Sequence, residues 1–291
     1  MEAHMRRLLL LSALLFCFQN SAFATWSILA VDRSTGRVVT ASATCVDGDD
    51  NRLTYGAAVV VPGKGVAACQ AATDGTHQNQ TIVFEELQKG TDPRQILDLL
   101  SQDPAFQSKQ YGILDLEGRV AAHTGLNNGF VAENMHGQVP GTEIFYAIQA
   151  NSMRNGNVVR NAVKAFIANK GALTDRVMAA MEAADASGGD VRCTCPPPPA
   201  DGSMPAIACT NKTAHVAYIL MAEPTDKNGD SHSNGKYALY LTVSQPDPVP
   251  AGAAFTTHGP SQIKKGENLN PVKTLRMRYD VWRKQQPTNF K

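Results

Sequence analysis

Apolar positions first gather at residues 8–18, behind Arg6 and Arg7 and ahead of a short polar patch closed by Ala22-Phe23-Ala24. A basic start, an apolar run and a small-x-small ending have the layout of a secretory signal, so cleavage is expected after Ala24. The run is shorter than the ~20 residues a bilayer crossing needs. The pattern then changes. Ile28-Leu29-Ala30-Val31 is apolar without alternation, as in a strand buried on both faces. Residues 26–32 and 37–45, split by Arg33-Ser34-Thr35-Gly36, predict a hairpin. Residues 55–61 and 65–72 around Pro62-Gly63-Lys64 predict a second, with a polar loop over 47–52 between the two.

From Gln78 the period lengthens. Ile82, Val83, Glu86 and Leu87 lie at helical spacing, and Lys89-Gly90 ends that segment. Asp92-Pro93 opens another helix, with Ile96, Leu97, Leu99 and Leu100 as its apolar side. Strands are predicted over 110–115, 119–123 and 144–150, then helices over 157–169 and 173–186. Residues 193–212, with a proline run at 196–199, carry no periodicity and read as a surface excursion. Strands over 214–221 and 237–243 and a helix over 273–285 complete the chain. Blocks of strands alternating with blocks of helices suit an α+β fold, an αββα sandwich of two mainly antiparallel sheets between helix layers. The expected organisation is a signal over 1–24, a domain over 25–250 with a Cys/Pro-rich insertion at 193–213, and an extension over 251–291 whose final helix packs on the domain.

Lys and Arg number 27 against 26 Asp and Glu. That balance gives no basic field for nucleic acid or anionic lipid. No second long apolar run follows the signal, so no membrane association is expected after its removal. Cleavage leaves Cys45, Cys69, Cys193, Cys195 and Cys209. A secreted or periplasmic setting favours disulfides, and the odd count leaves a free thiol or an intermolecular partner. Cys193-Thr-Cys195 is too tight to bridge itself, so Cys209 is expected to close a loop onto one of the two; a Cys45–Cys69 bridge is the weaker option. Three or four ligands at one point would be needed for a structural metal, and the histidines show no His-x-x-x-His spacing. No metal or cofactor is expected. Asn79-Gln80-Thr81 and Asn211-Lys212-Thr213 match the short glycosylation pattern.

Cleavage after Ala24 would make Thr25 a free N-terminal threonine, which carries a nucleophile and, in its α-amine, a base. An acyl transfer there also needs an oxyanion donor. Asn151, a side-chain amide at a strand end, is the candidate. Asp190 is a candidate to orient the amine or to pair with Arg192, and Arg192 to bind a substrate carboxylate. Gln70, a polar residue in the middle of a strand, calls for a partner and is a candidate lining residue. Ser42 and Ser27 are candidate supporting hydroxyls. His123, ending a strand, reads as structural.

Thr25-Trp26-Ser27-Ile28-Leu29-Ala30-Val31-Asp32 resembles the start of the domain-of-unknown-function 1028 family. Ala68-Cys69-Gln70-Ala71, residues 118–125, Gln149-Ala150-Asn151-Ser152-Met153, Gly188-Gly189-Asp190-Val191-Arg192 and the run from Tyr237 through Pro246-Asp247-Pro248 extend the resemblance to about residue 249. The family is similar in fold to the N-terminal-nucleophile (Ntn) hydrolases. The resemblance therefore implies the αββα sandwich and favours Thr25 as nucleophile. Proteasome-like relatives carry an acid early in the second strand and a lysine further on. Here that stretch is Thr40-Ala41-Ser42-Ala43, with no obvious lysine counterpart, and the Arg-Gly that often follows Gly-Gly-Asp is interrupted after Arg192. The expected activity is hydrolysis of an amide bond, or a related acyl transfer, on a small amide or peptide-like substrate, in a chain that could form a homo-oligomer. The alternative is a catalytically inactive secreted binding module for cell-wall material or a surface protein.

Overall fold

A computed structural model describes residues 25–46, 50–72, 74–129, 131–193, 212–244 and 262–290. The leader over 1–24, Cys195, Cys209, Asn211 and Pro246-Asp247-Pro248 lie outside the described residues.

The chain opens with β1 (Thr25–Asp32) and β2 (Arg37–Thr44), the antiparallel hairpin expected from the sequence. The later strands are β3 (Ala58–Val61), β4 (Gly65–Ala71), β5 (Lys109–Asp115), β6 (Val120–Thr124), β7 (Glu133–Gln138), β8 (Ile144–Asn151), β9 (Val216–Ala222), β10 (Lys227–Asn228), β11 (Gly235–Lys236) and β12 (Leu239–Ser244). Of the two large sheets, one has the order β12-β9-β2-β1-β8-β7 and the other β3-β4-β5-β6, β10 and β11 pair with each other, and all these pairings are antiparallel. The helices are α1 (Asp50–Ala57), α2 (Gln78–Lys89), α3 (Pro93–Leu100), α4 (Asn157–Ala168), α5 (Leu173–Ala186) and α6 (Pro271–Lys284).

Alternation along each strand assigns side chains to layers. Trp26, Ile28 and Ala30 of β1 pack with Val159 and Phe166 of α4, Val177 and Met181 of α5, and Leu275 and Tyr279 of α6. Leu29 and Val31 point the other way, onto Val66, Ala68 and Leu114 of the second sheet. The outer face of that sheet, Ala67, Tyr111 and Ile113, is covered by Val83 and Leu87 of α2 and Ile96 and Leu100 of α3. The result is four layers, helix, sheet, sheet, helix. β1 lies between them with all eight residues buried, which explains its unalternating sequence.

Three expectations need correction. The segment expected as a loop and the start of a strand is α1, which buries Leu53 and Ala57 one turn apart and exposes Tyr55. β7 was not foreseen; its exposed edge residues carry no apolar alternation, and its place comes from backbone pairing with β8. The disulfide joins Cys45 to Cys193, 148 residues apart with Cα atoms 5.9 Å apart, while Cys69 is a free, buried thiol facing α2. Cys193–Cys209 and Cys45–Cys69 are thereby ruled out, while the other option for Cys209, a bridge to Cys195, lies outside the described residues. Asn79 is buried, its amide donating to Asp103 and to the Tyr111 hydroxyl, so its glycosylation match is structural.

Candidate functional site

Toward its N-terminus, the inward face of β1 turns polar. After Val31 and Leu29 come Ser27 and Thr25, and the neighbours follow: Ser42 and Thr44 on β2, Gln149 and Asn151 on β8, Gln70 on β4, Gln110 on β5. All eight are buried. The space between the sheets is thus apolar at one end and hydrogen-bonded at the other. Gly112 keeps the sheets close where the two ends meet, because the Gln149 amide crosses the position a Cβ would occupy and donates to the Ala68 carbonyl at 3.1 Å.

Thr25 stands in register with Thr44 on one side and Asn151 on the other. Its Oγ1 donates to Thr44 Oγ1 at 3.2 Å, and its carbonyl accepts from Gln70 Nε2 at 2.9 Å. Gln70 Nε2 also donates to Gln110 Oε1 at 2.6 Å, while Gln70 Oε1 accepts from Ser27, whose oxygen lies 2.8 Å from Ser42 Oγ. Gln110 Nε2 donates to the Ala150 carbonyl at 3.0 Å and to Thr124 Oγ1 at 2.9 Å. Carbonyls only accept, so these contacts fix which way both glutamine amides face. Asn151 follows: its Nδ2 donates to Gln110 Oε1 at 3.1 Å, which turns Oδ1 away into a buried position with no hydrogen-bond partner among the described residues. A buried acceptor left open is costly and calls for a reason.

A charged pair closes the side of the site beyond Thr44. Asp190 is fully buried, and its carboxylate accepts from the Cys45 amide at 2.8 Å and from Arg192 Nη2 at 2.6 Å, Nε at 3.1 Å and backbone N at 2.9 Å. Arg192 Nη2 also reaches Thr44 Oγ1 at 3.3 Å. The pairing with Arg192 considered for Asp190 is formed. The Cys45–Cys193 disulfide follows Thr44 at the end of β2 and Arg192 in the turn after Asp190, so it staples this wall directly. His215 approaches both sulfurs within 4.8 Å, but the sulfurs are bonded to each other and are not available as thiolate ligands.

Two of the three non-glycine residues in the left-handed region among the described residues, Ala71 (φ 75°) and Ser152 (φ 52°), directly follow Gln70 and Asn151. Such backbone costs of order 1–3 kcal/mol and clusters at working sites. Cys69, next to Gln70, points to the helix layer, and burial pushes its thiol up to about 12, so it is no nucleophile at neutral pH. His123 stacks on Phe106 with centroids 3.7 Å apart and contacts the Phe106 carbonyl at 3.0 Å, a structural role.

The structure brings Thr25, Asn151, Gln70, Ser27 and Ser42 into one network, with Asp190 and Arg192 attached through Thr44. Sequence reasoning missed Thr44 and Gln110. Gln110 could have been found by the argument that singled out Gln70, a polar residue on the inward face of a predicted strand.

Fold and site together define an α+β sandwich with a polar cluster around the first residue of its central strand. The chain belongs to a family of unknown function (DUF1028), whose profile matches residues 25–195. Protein SPO2555 from Silicibacter pomeroyi, a solved structure assigned to the same family, superposes with a TM-score of 0.60 at 21% identity, covering 89% of this chain and 85% of that one. At that identity the likeness concerns the fold. No curated protein matches the chain. Among the described residues no helix is long and apolar enough to cross a membrane, and the disulfide is compatible with an extracellular location.

Proposed function

We propose that cleavage after Ala24 frees Thr25 as an N-terminal nucleophile, and that the exported protein is an Ntn-type amide hydrolase or acyl transferase for a small amide or peptide-like substrate. One observation carries this reading: the residue that would become the N-terminus lies in a buried polar cluster, beside an asparagine oxygen that no other group among the described residues satisfies. A surface threonine with ordinary partners would not support it.

Chemically, Thr25 Oγ1 attacks the substrate carbonyl and its proton passes to the α-amine, whose ordinary pKa of about 7.7–8.0 suits a base near neutral pH. The amine then protonates the leaving nitrogen as the C–N bond breaks, leaving an ester on Thr25. Water, deprotonated by the same amine, hydrolyses that ester and releases the acid. Gln70, by holding the Thr25 carbonyl, fixes the backbone that carries both groups. Asn151 Oδ1 is an acceptor for the ammonium, and the second N–H of Asn151 is the oxyanion donor. Thr44, steadied by Arg192, orients the nucleophile's oxygen. Arg192, already paired with Asp190, serves as the pocket wall that meets a substrate carboxylate.

The test is mass spectrometry of exported protein before and after treatment with a hydroxyl-reactive β-lactone. The expected result is a mature chain starting at Thr25 and a single adduct on it, absent in Thr25→Ala and present in Thr25→Ser. The second reading, an inactive module on the same fold that binds cell-wall material or a surface protein, is favoured by the saturated hydrogen bonding of Asp190. A mature chain that starts at Thr25 yet takes no adduct decides for it.

A further inference from the structure

A cleft of about 470 Å³ lies apart from the Thr25 network, between α1, the segment joining β10 to β11, and β12. Its walls are unusual in composition. Thr54, Ser231 and Ser233 supply hydroxyls, Asp230 and Asn234 a carboxylate and an amide, and Tyr55 and Tyr240 two phenols. Neither a cation nor an aliphatic side chain is among these lining residues, which argues against an anionic or a purely apolar ligand. The two tyrosines are 42% and 36% exposed, large rings left open to solvent.

The cleft is held rigid from below. His232 is buried, stacks on Tyr55 with centroids 4.8 Å apart and contacts the Tyr55 carbonyl through Nε2 at 2.8 Å. The His77 ring lies 4.2 Å from Tyr55 and 6.1 Å from His232, which makes a nearly right-angled triangle at Tyr55. The two imidazoles therefore do not sandwich the phenol between them, and Tyr55 keeps its 42% exposure. On the opposite wall Asn234 Nδ2 donates to Asp230 Oδ1 at 2.8 Å, aligning a planar amide with a planar carboxylate. The segment bearing them is tied to the sheet, with Asn228 Nδ2 donating to the Val60 carbonyl and Val60 N to the His232 carbonyl, both at 2.8 Å. A polar segment fixed this firmly has lost its conformational entropy before any ligand arrives, the condition for preorganised binding.

We propose that this cleft binds a neutral saccharide. A sugar ring offers an apolar C–H face to an aromatic ring and a rim of hydroxyls that both donate and accept. The Asp230–Asn234 pair and the serine and threonine hydroxyls match that rim, since a carboxylate accepts, an amide does both and a hydroxyl does both. Tyr55 and Tyr240 supply the platforms. The inference stands independently of Thr25: an inert Thr25 leaves it intact, and an empty cleft leaves the nucleophile intact.

Saturation-transfer NMR and calorimetry on the full exported protein test it, with soluble oligomers of glucose, mannose and N-acetylglucosamine as probes and tetramethylammonium as the competing arm. The expected result is binding of at least one oligosaccharide, weakened tenfold or more by Tyr240→Ala and by Asp230→Ala, and kept within threefold by Tyr240→Phe. Both alanine changes are at exposed or cleft positions, and an unchanged melting temperature confirms the fold. Failure of every oligosaccharide to bind, binding that Tyr240→Ala leaves untouched, or binding of tetramethylammonium alone would overturn the assignment.

Discussion

The two ends of the space between the sheets are built from the same strands and obey opposite rules. At one end Leu29, Val31, Val38, Leu114 and Leu220 fill volume with no directional demand. At the other Thr25, Ser27, Thr44, Gln70, Gln110 and Asn151 fill it through hydrogen bonds whose directions are set by backbone carbonyls. The difference teaches where the fold is held and where it is made specific. Burial of apolar area stabilises roughly in proportion to area. A buried polar network contributes little net energy, is costly when broken, and dictates one arrangement. That the network sits around the first residue of the central strand is what makes it a candidate site rather than a structural curiosity.

The largest expected effect is at the apolar end. Leu29→Ala leaves a cavity among fully buried neighbours and should cost about 2–5 kcal/mol of unfolding free energy by denaturant titration. Volume-conserving Leu114→Met should cost less than ~1.5 kcal/mol there. Next comes Gln110→Leu, a swap of similar volume at the polar end. It removes the acceptor of Gln70 and Asn151 and the donor to Thr124 and Ala150. Each buried group left unpaired costs about 1–3 kcal/mol, so this conservative-looking change should exceed Leu114→Met. Equal costs for the two would erase the distinction between the ends.

Much of this was legible in the sequence, and the gaps have physical causes. The β1–β2 hairpin, the α4 and α5 stripes and the special status of Gln70 followed from periodicity and from a polar residue in an apolar strand. Thr44 was hidden because threonine is an ordinary strand residue, and only the register with Thr25 gives it meaning. Asp50–Ala57 hid its helix because Leu53 and Ala57 are the apolar side chains it adds to the core, too few to set a period. Cys45 and Cys193 meet because Cys45 follows β2 and Cys193 follows the Met153–Asp190 bridge beside it, a pairing that cysteine spacing does not encode.

The smallest expected effect concerns pH, and it probes the contrast from outside. The polar end is built mainly of amides and hydroxyls, which carry no charge between pH 5.5 and 7.5. Sensitivity in that range should come from His232 and His123, both held below the ordinary histidine value chiefly by burial, with His77 adding to the effect at His232. A base with a lowered pKa in the folded state takes up its proton more readily in the unfolded chain. Its contribution is therefore intact above about 6.5, the unfolded value, and is lost as pH falls from there toward the folded value. Unfolding free energy should decline between pH 7.5 and 5.5, and the double replacement His123→Gln with His232→Gln should flatten that decline. A slope that survives both changes would show that groups other than these two histidines set the stability in that range, and burial of the two imidazoles would not be its cause.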